Sequence, residues 1–146
     1  MPKTARAARG LRADRAPQRE RRKTPATARP FQIGALNHLH LVVSDLRRSK
    51  NFYCDVLGMT YAWGEEEIIA LKNGDADFFL SSGKPVPKTD GVHFGFRLRN
   101  REAVNYWAAR AQESGAPITG GPGDRGSSRV VYFKDPDGYE IEIYSE

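Results

Sequence analysis

The sequence predicts an α+β fold in which two βαβββ modules come together as a cup-shaped mixed sheet. Three observations carry that expectation. First, the chain repeats itself: Leu36-Asn37-His38-Leu39-His40-Leu41-Val42-Val43 is echoed by Gly91-Val92-His93-Phe94-Gly95-Phe96-Arg97-Leu98, and each passes into a helical pattern closed by a glycine, Gly58 or Gly115. Second, the helix-capping residue follows its histidine by seven positions in both copies, Asp45 after His38 and Asn100 after His93. Third, the β-rich runs alternate apolar and polar residues, so each is one face of a half-covered sheet. A unit repeated in this way cannot bury its apolar face alone and pairs with its copy.

Each element follows in order. His38 to Val43 reads as a strand, and Ser44/Asp45 caps a helix whose apolar face uses Leu46, Phe52, Tyr53, Val56 and Leu57, with Gly58 just past its end. Strands are expected at Met59–Trp63, Ile68–Leu71 and Asp77–Leu80, with Lys72-Asn73-Gly74-Asp75 as the turn between the last two. Glu65-Glu66-Glu67 reads as an exposed turn, and residues 82–90 read as the linker between copies. The second copy opens with a strand from Val92 to Leu98. Asn100 then caps a helix in which Val104, Trp107, Ala108 and Ala111 recur at helical spacing. Pro117-Ile118-Thr119 is a short strand candidate and the glycine-rich stretch 120–126 a loop. Strands at Arg129–Phe133 and Glu140–Tyr144 flank the turn Asp135-Pro136-Asp137-Gly138.

Composition separates this unit from what precedes it. Residues 1–30 hold ten Lys/Arg and two acids, while the remainder holds thirteen bases and sixteen acids. The high pI therefore belongs to the beginning of the chain. With almost no large apolar residue, residues 1–32 read as a disordered basic tail and residues 33–146 as one domain, its modules at 36–81 and 91–145. The tail has the composition of a nucleic-acid-binding arm or an Arg-rich transit peptide, but a dispensable extension or a misassigned start is the simpler reading. No stretch is long and apolar enough to span a bilayer. A lone cysteine, Cys54, excludes an internal disulfide and reads as a packing residue. Together these features suit a cytoplasmic protein.

The chemistry lies on the polar strand faces. On the first strand His38 and His40 share one face, opposite Leu39, Leu41 and Val43. On the fifth, His93, Gly95 and Arg97 oppose Val92, Phe94, Phe96 and Leu98; on the last, Glu140, Glu142 and Tyr144 oppose Ile141 and Ile143. Helices cover the apolar faces, so the polar faces line the concavity and three strands offer it His38, His93 and Glu142. Two imidazoles and a carboxylate suit a divalent first-row metal and leave coordination positions open. Arg97 and Arg129 are candidates for holding an anionic substrate, with plain solvation the simpler reading.

His38, Asp45, Phe52-Tyr53, Leu57-Gly58, His93 and Asp135-Pro136-Asp137-Gly138-Tyr139-Glu140-Ile141-Glu142 together resemble the vicinal oxygen chelate superfamily, which includes glyoxalase I, fosfomycin-resistance transferases, bleomycin-resistance proteins and extradiol dioxygenases. The resemblance covers residues 36–146. It implies that His38, His93 and Glu142 ligate Fe2+, Mn2+, Zn2+ or Ni2+, and that the metal binds vicinal oxygens of a small substrate. Glyoxalase I has a fourth ligand, a glutamate, at the position that here corresponds to Phe79, with Asp77 and Ser81 as neighbours on that face. The phosphonate-binding arginine of the fosfomycin enzymes has no counterpart near Glu142. Tyr132 matches a tyrosine of the fosfomycin pocket, and His40 shares the cavity face as an acid/base candidate; these two are the catalytic candidates. The resemblance thus implies a metal-dependent enzyme, of dioxygenase type or of glyoxalase and lyase type, working as a homodimer on a small molecule. The alternative is a metal-free protein that sequesters a small ligand in the same cavity. A nucleic-acid partner has only the tail in its favour.

Overall fold

The computed structural model describes residues 34–86 and 91–146; the basic tail and the linker residues 87–90 lie outside them. The first module runs β1 (His38–Val43), α1 (Leu46–Asn51), a π-helical turn (Phe52–Val56), β2 (Thr60–Gly64), β3 (Ile68–Asn73) and β4 (Ala76–Ser82). The second runs β5 (Phe94–Leu98), α2 (Arg101–Glu113), β6 (Ile118–Arg125), β7 (Ser128–Lys134) and β8 (Glu140–Ser145). The sheets have matching orders, β1-β4-β3-β2 and β5-β8-β7-β6, and in each the outer first strand lies parallel to the last while the rest are antiparallel. The sequence repeat is therefore a repeat of topology, two βαβββ units.

The helix starts follow their capping residues. Asp45 and Asn100 are both extended, and each side chain accepts from the backbone N–H three residues on, Arg48 at 2.9 Å and Ala103 at 3.0 Å. The first helix then departs from the regular pattern: after six α-helical residues it widens into the π-helical turn. That widening lets the neighbours Phe52 and Tyr53 both turn inward. Gly58 ends the segment with φ +71°, a conformation that a side chain resists. In α2 the small residues Ala108 and Ala111, with Val104, form the buried stripe.

Two expectations need correction. The glycine-rich stretch 120–126 is not a loop: residues up to Arg125 belong to β6, which pairs with β7 through two register shifts. Glycines carry no alternation for the eye to read, yet their backbone pairs as well as any other, and bulges absorb the extra residues. At Gly120 the missing side chain also matters, because a Cβ there would stand 3.3 Å from the Tyr132 ring. The fifth strand, expected from Val92, begins at Phe94, whose partner is Ile141. His93 lies just ahead of it, and Val92 is 68% exposed rather than part of the apolar face.

The modules share one apolar core. Leu41, Val43, Phe52, Tyr53, Leu71, Phe78 and Leu80 from the first join Val104, Val131, Phe133, Ile141 and Ile143 from the second, and Phe78 meets Phe94 with ring centroids 5.7 Å apart. A polar clasp closes the seam. Asp137 accepts from Ser44 N (3.2 Å), Ser44 Oγ (2.5 Å), Arg48 Nη2 (2.8 Å) and Ser49 Oγ (3.3 Å). Beside it the buried Tyr53 hydroxyl donates to Asp135 Oδ2 at 2.7 Å, and Tyr139 donates to Val42 O at 2.8 Å. The turn read from the sequence as a hairpin signal is thus also the main polar junction between the repeats.

Candidate metal site

Strand register decides which side chains share a site. In the second module Gly95 pairs with Glu142 and Tyr132 with Glu142, so all three lie in one row across β5, β8 and β7. Cross-strand neighbours on one face are about 5 Å apart, close enough for their side chains to meet. Tyr132 OH donates to Glu142 Oε1 at 2.5 Å, and His93 Nε2 lies 3.3 Å from Glu142 Oε2. Donating to the carboxylate holds the Tyr132 phenol above its ordinary pKa. Gly95 makes room for this arrangement, since a Cβ at that position would stand 3.2 Å from Glu142 Oε2. The carboxylate is mostly covered, its side chain 18% exposed, whereas the His93 ring remains open at 36%.

The first module presents the matching row. His38 pairs with Asp77 and His40 with Phe79 along β1 and β4. Two residues past His38 on β1 is His40, whose partner on β4 is Phe79; the same step from His93 leads to Gly95, whose partner on β8 is Glu142. Phe79 is thus the repeat-equivalent of Glu142, the slot that the sequence assigned to it. Asp77 pairs instead with Lys72, Oδ1 to Nζ at 2.5 Å. His40 Nε2 shares a hydrogen bond with Ser81 Oγ at 3.0 Å, and His38 Nδ1 contacts Asn37 Oδ1 at 3.2 Å.

Of the five candidate residues, His93, Glu142 and Tyr132 come together, while His38 and His40 stand on the other sheet, both on β1 with their rings about equally far from that of Phe79, 6.2 and 6.1 Å. His38 and His93 both line one cavity of about 430 Å³. Among the described residues no three imidazole, thiolate or carboxylate groups gather into a set that could hold an ion. The arginines divide: Arg97 is exposed, 3.6 Å from Glu146, while Arg129 is engaged by Asn105 and Asp124. Cys54 is half-buried, and burial pushes its thiol up, as suits a packing residue.

Three residues that the sequence did not single out also belong to these faces. Gly95 gives the Glu142 carboxylate its space, and Arg125 lies over the Tyr132 ring at 5.2 Å. Trp63 leans on Phe79 and is half exposed; it stands opposite Ala70 through a register shift between β2 and β3 that the sequence does not announce.

Comparison with known proteins bears on what these faces do. A glutathione transferase FosA of Serratia marcescens is 31% identical over 117 residues, covering 77% of this chain and 81% of that protein. A catechol-2,3-dioxygenase of Bacillus subtilis is 29% identical over 123 residues, 76% of this chain but only 41% of that longer protein. In three dimensions the fosfomycin resistance protein FosX of Listeria monocytogenes superposes with a TM-score of 0.71 at 20% identity, over 79% of this chain and 95% of that one. The first two are enzymes of different reaction types, a transferase and a dioxygenase, and the third shares the fold. Among the described residues no helix is long and apolar enough to cross a membrane. The family model that matches, over residues 35–143, places the chain in the Glyoxalase/Bleomycin resistance protein/Dioxygenase superfamily.

Proposed function

We propose that the protein is a metal-dependent enzyme whose ion is held by His38, His93 and Glu142 and whose small substrate binds that ion through vicinal oxygens. The observation that carries the reading is the His93–Glu142 pair, set 3.3 Å apart in the space left by Gly95. An imidazole nitrogen and a carboxylate oxygen so placed fit two positions on one divalent cation, Fe2+, Mn2+, Zn2+ or Ni2+. The third donor, His38, comes from a second copy of the chain. Supporting this, β1 and β5 are both outer strands of their sheets, and a homodimer would occupy edges that are otherwise open.

When bound, the ion supplies Lewis acidity toward paired substrate oxygens. The protein's own groups do the rest. Tyr132 donates to Oε1 of Glu142 and so fixes Oε2 toward His93. His40 holds its Nε2 against Ser81 Oγ on the face beside His38, and that nitrogen is where it would take or release a proton. With Phe79 in the slot equivalent to Glu142, the site has three protein donors and open positions for a bidentate substrate. That suits oxygenation or addition better than a four-ligand isomerase site.

Metal analysis tests the assignment. The wild type is expected to carry one ion per chain, and Glu142→Gln to bind it about 10–100-fold more weakly. Co-expressing His38→Ala with Glu142→Gln chains then tests the origin of His38. A mixed dimer with exchanged modules regains one intact site, so one ion per dimer is expected. A mixed dimer without metal would overturn the exchange, and a wild type without metal would leave a ligand-sequestering protein in place of an enzyme.

A further inference from the structure

A cavity of about 410 Å³ lies at the seam between the repeats and shares no residue with the one lined by His38 and His93. Its size falls within the range of small-molecule sites, roughly 300–1,000 Å³. One wall comes from α1 and the π-helical turn; the other comes from the chain just past α2 and from the end of β7 with the turn after it. Phe52, Val56, Pro117 and Pro136 supply apolar lining. The walls are fixed in place: Arg110 Nη2 of α2 donates to Asp55 O across the seam, and Lys134 N donates to Pro117 O at 3.0 Å within the second wall.

Four charged side chains line this cavity, Arg48, Asp55, Lys134 and Asp135. Two of them are committed to the clasp. Arg48 donates to Ser44 and Asp137, and Asp135 accepts from Tyr53 OH and from the backbone N–H groups of Asp137 and Tyr139. Asp55 and Lys134 remain: among the described residues neither is in an ion pair, and they do not pair with each other. Ser114 and Gly115, at the carbonyl end of the 13-residue α2, line the same cavity, and that end of a helix favours a cation. We propose that the cavity is a binding site for a small apolar zwitterion, an amino acid or a dipeptide. Its ammonium lies toward Asp55 and the end of α2, its carboxylate toward Lys134 Nζ, and its apolar part on Phe52 and the two prolines. A ligand of single charge answers one of the two side chains and leaves the other unmatched; a zwitterion answers both. The walls come from both repeats, so an occupant binds only the closed seam and stabilises the folded chain by mass action.

Calorimetry on the full chain tests this with leucine and leucyl-leucine, and with isocaproate and isoamylamine, which keep the leucine body but lack its amine or its carboxylate. One of the two zwitterions is expected to bind about fivefold more tightly than either singly charged analogue, the scale of one surface charge pair. The tighter of the two zwitterions then reports whether the site is spaced for an amino acid or for a dipeptide. Lys134→Met should bring that zwitterion down to the affinity of isoamylamine, and Asp55→Asn to that of isocaproate. In amide NMR spectra the signals of Gly115, Ala116 and Lys134 should shift on binding, and EDTA should leave the affinity unchanged. A zwitterion bound no more tightly than its analogues would overturn the proposal, as would full affinity in both variants or no binding at all. Binding that EDTA abolishes would put the ligand on a metal ion instead and overturn the assignment to this cavity.

Discussion

Replacing Tyr53 by phenylalanine should destabilise the protein by about 2 kcal/mol. Tyr53 is fully buried, and its hydroxyl donates at 2.7 Å to Asp135 Oδ2, which has no other donor among the described contacts. Asp135 Oδ1 by contrast accepts from Asp137 N and Tyr139 N at 3.0 and 2.8 Å and is unaffected. The substitution therefore removes one hydrogen bond to a buried acid and strands one oxygen, a loss of about 1.5–3 kcal/mol. For a folded unit of this size it corresponds to roughly 8 °C in Tm. The pH dependence gives a second reading. Burial, followed by the charge of Asp135, holds the Tyr53 phenol well above its ordinary value. A raised folded-state pKa contributes stability that is complete below the unfolded value near 10 and is lost as pH rises toward the folded one. The wild type should accordingly lose stability above about pH 10 more steeply than Tyr53→Phe does. Thermal melts at pH 7 and a chemical denaturation series from pH 8 to 11 measure both effects. A Tm change below about 2 °C, with parallel pH profiles, would refute the account of the seam.

Two further substitutions probe the candidate site. Gly95→Ala places a methyl group 3.2 Å from Glu142 Oε2, so the carboxylate must give by a few tenths of an ångström; metal affinity should fall about tenfold with little change in melting temperature, as metal titration and melts of the apo protein would show. Asp77→Asn removes a carboxylate that is paired with Lys72 and that lies one row away from the slot held by Phe79, so metal affinity in the same titration should stay within about twofold. A large loss there would bring Asp77 into the coordination sphere.

Features of the fold that depend on a few neighbouring residues were legible in the sequence. The caps at Asp45 and Asn100, the alternation of Leu39-Leu41-Val43 against His38-His40 and the turn at 135–138 each rest on local chemistry. The equivalence of Phe79 and Glu142 was also readable, because a strand register carries a repeat through intact. What escaped was decided by distant partners. The glycines of β6 become strand only because β7 pairs with them, and β5 starts at Phe94 because its first register partner is Ile141. Nothing near Asp137 in the sequence announces Ser44 and Arg48, about ninety residues away. The same holds for the site: His93 and Glu142 meet within one module, where register governs. The position of His38 depends on how modules associate, and strand patterns carry no information about that.

The clasp at the turn has a consequence for cooperativity. Tyr53 belongs to the first repeat and Asp135 to the second, so if either repeat opened alone it would strand a buried phenol or a buried acid, together with the four donors that converge on Asp137. Leaving such groups without partners costs more than the hydrogen bonds themselves contribute. Partial opening is therefore penalised twice, once in apolar area and once in orphaned polar atoms. The chain holds two copies of one topology, but the seam makes them a single melting unit, and the half-chains 34–86 and 91–146 are not separable domains.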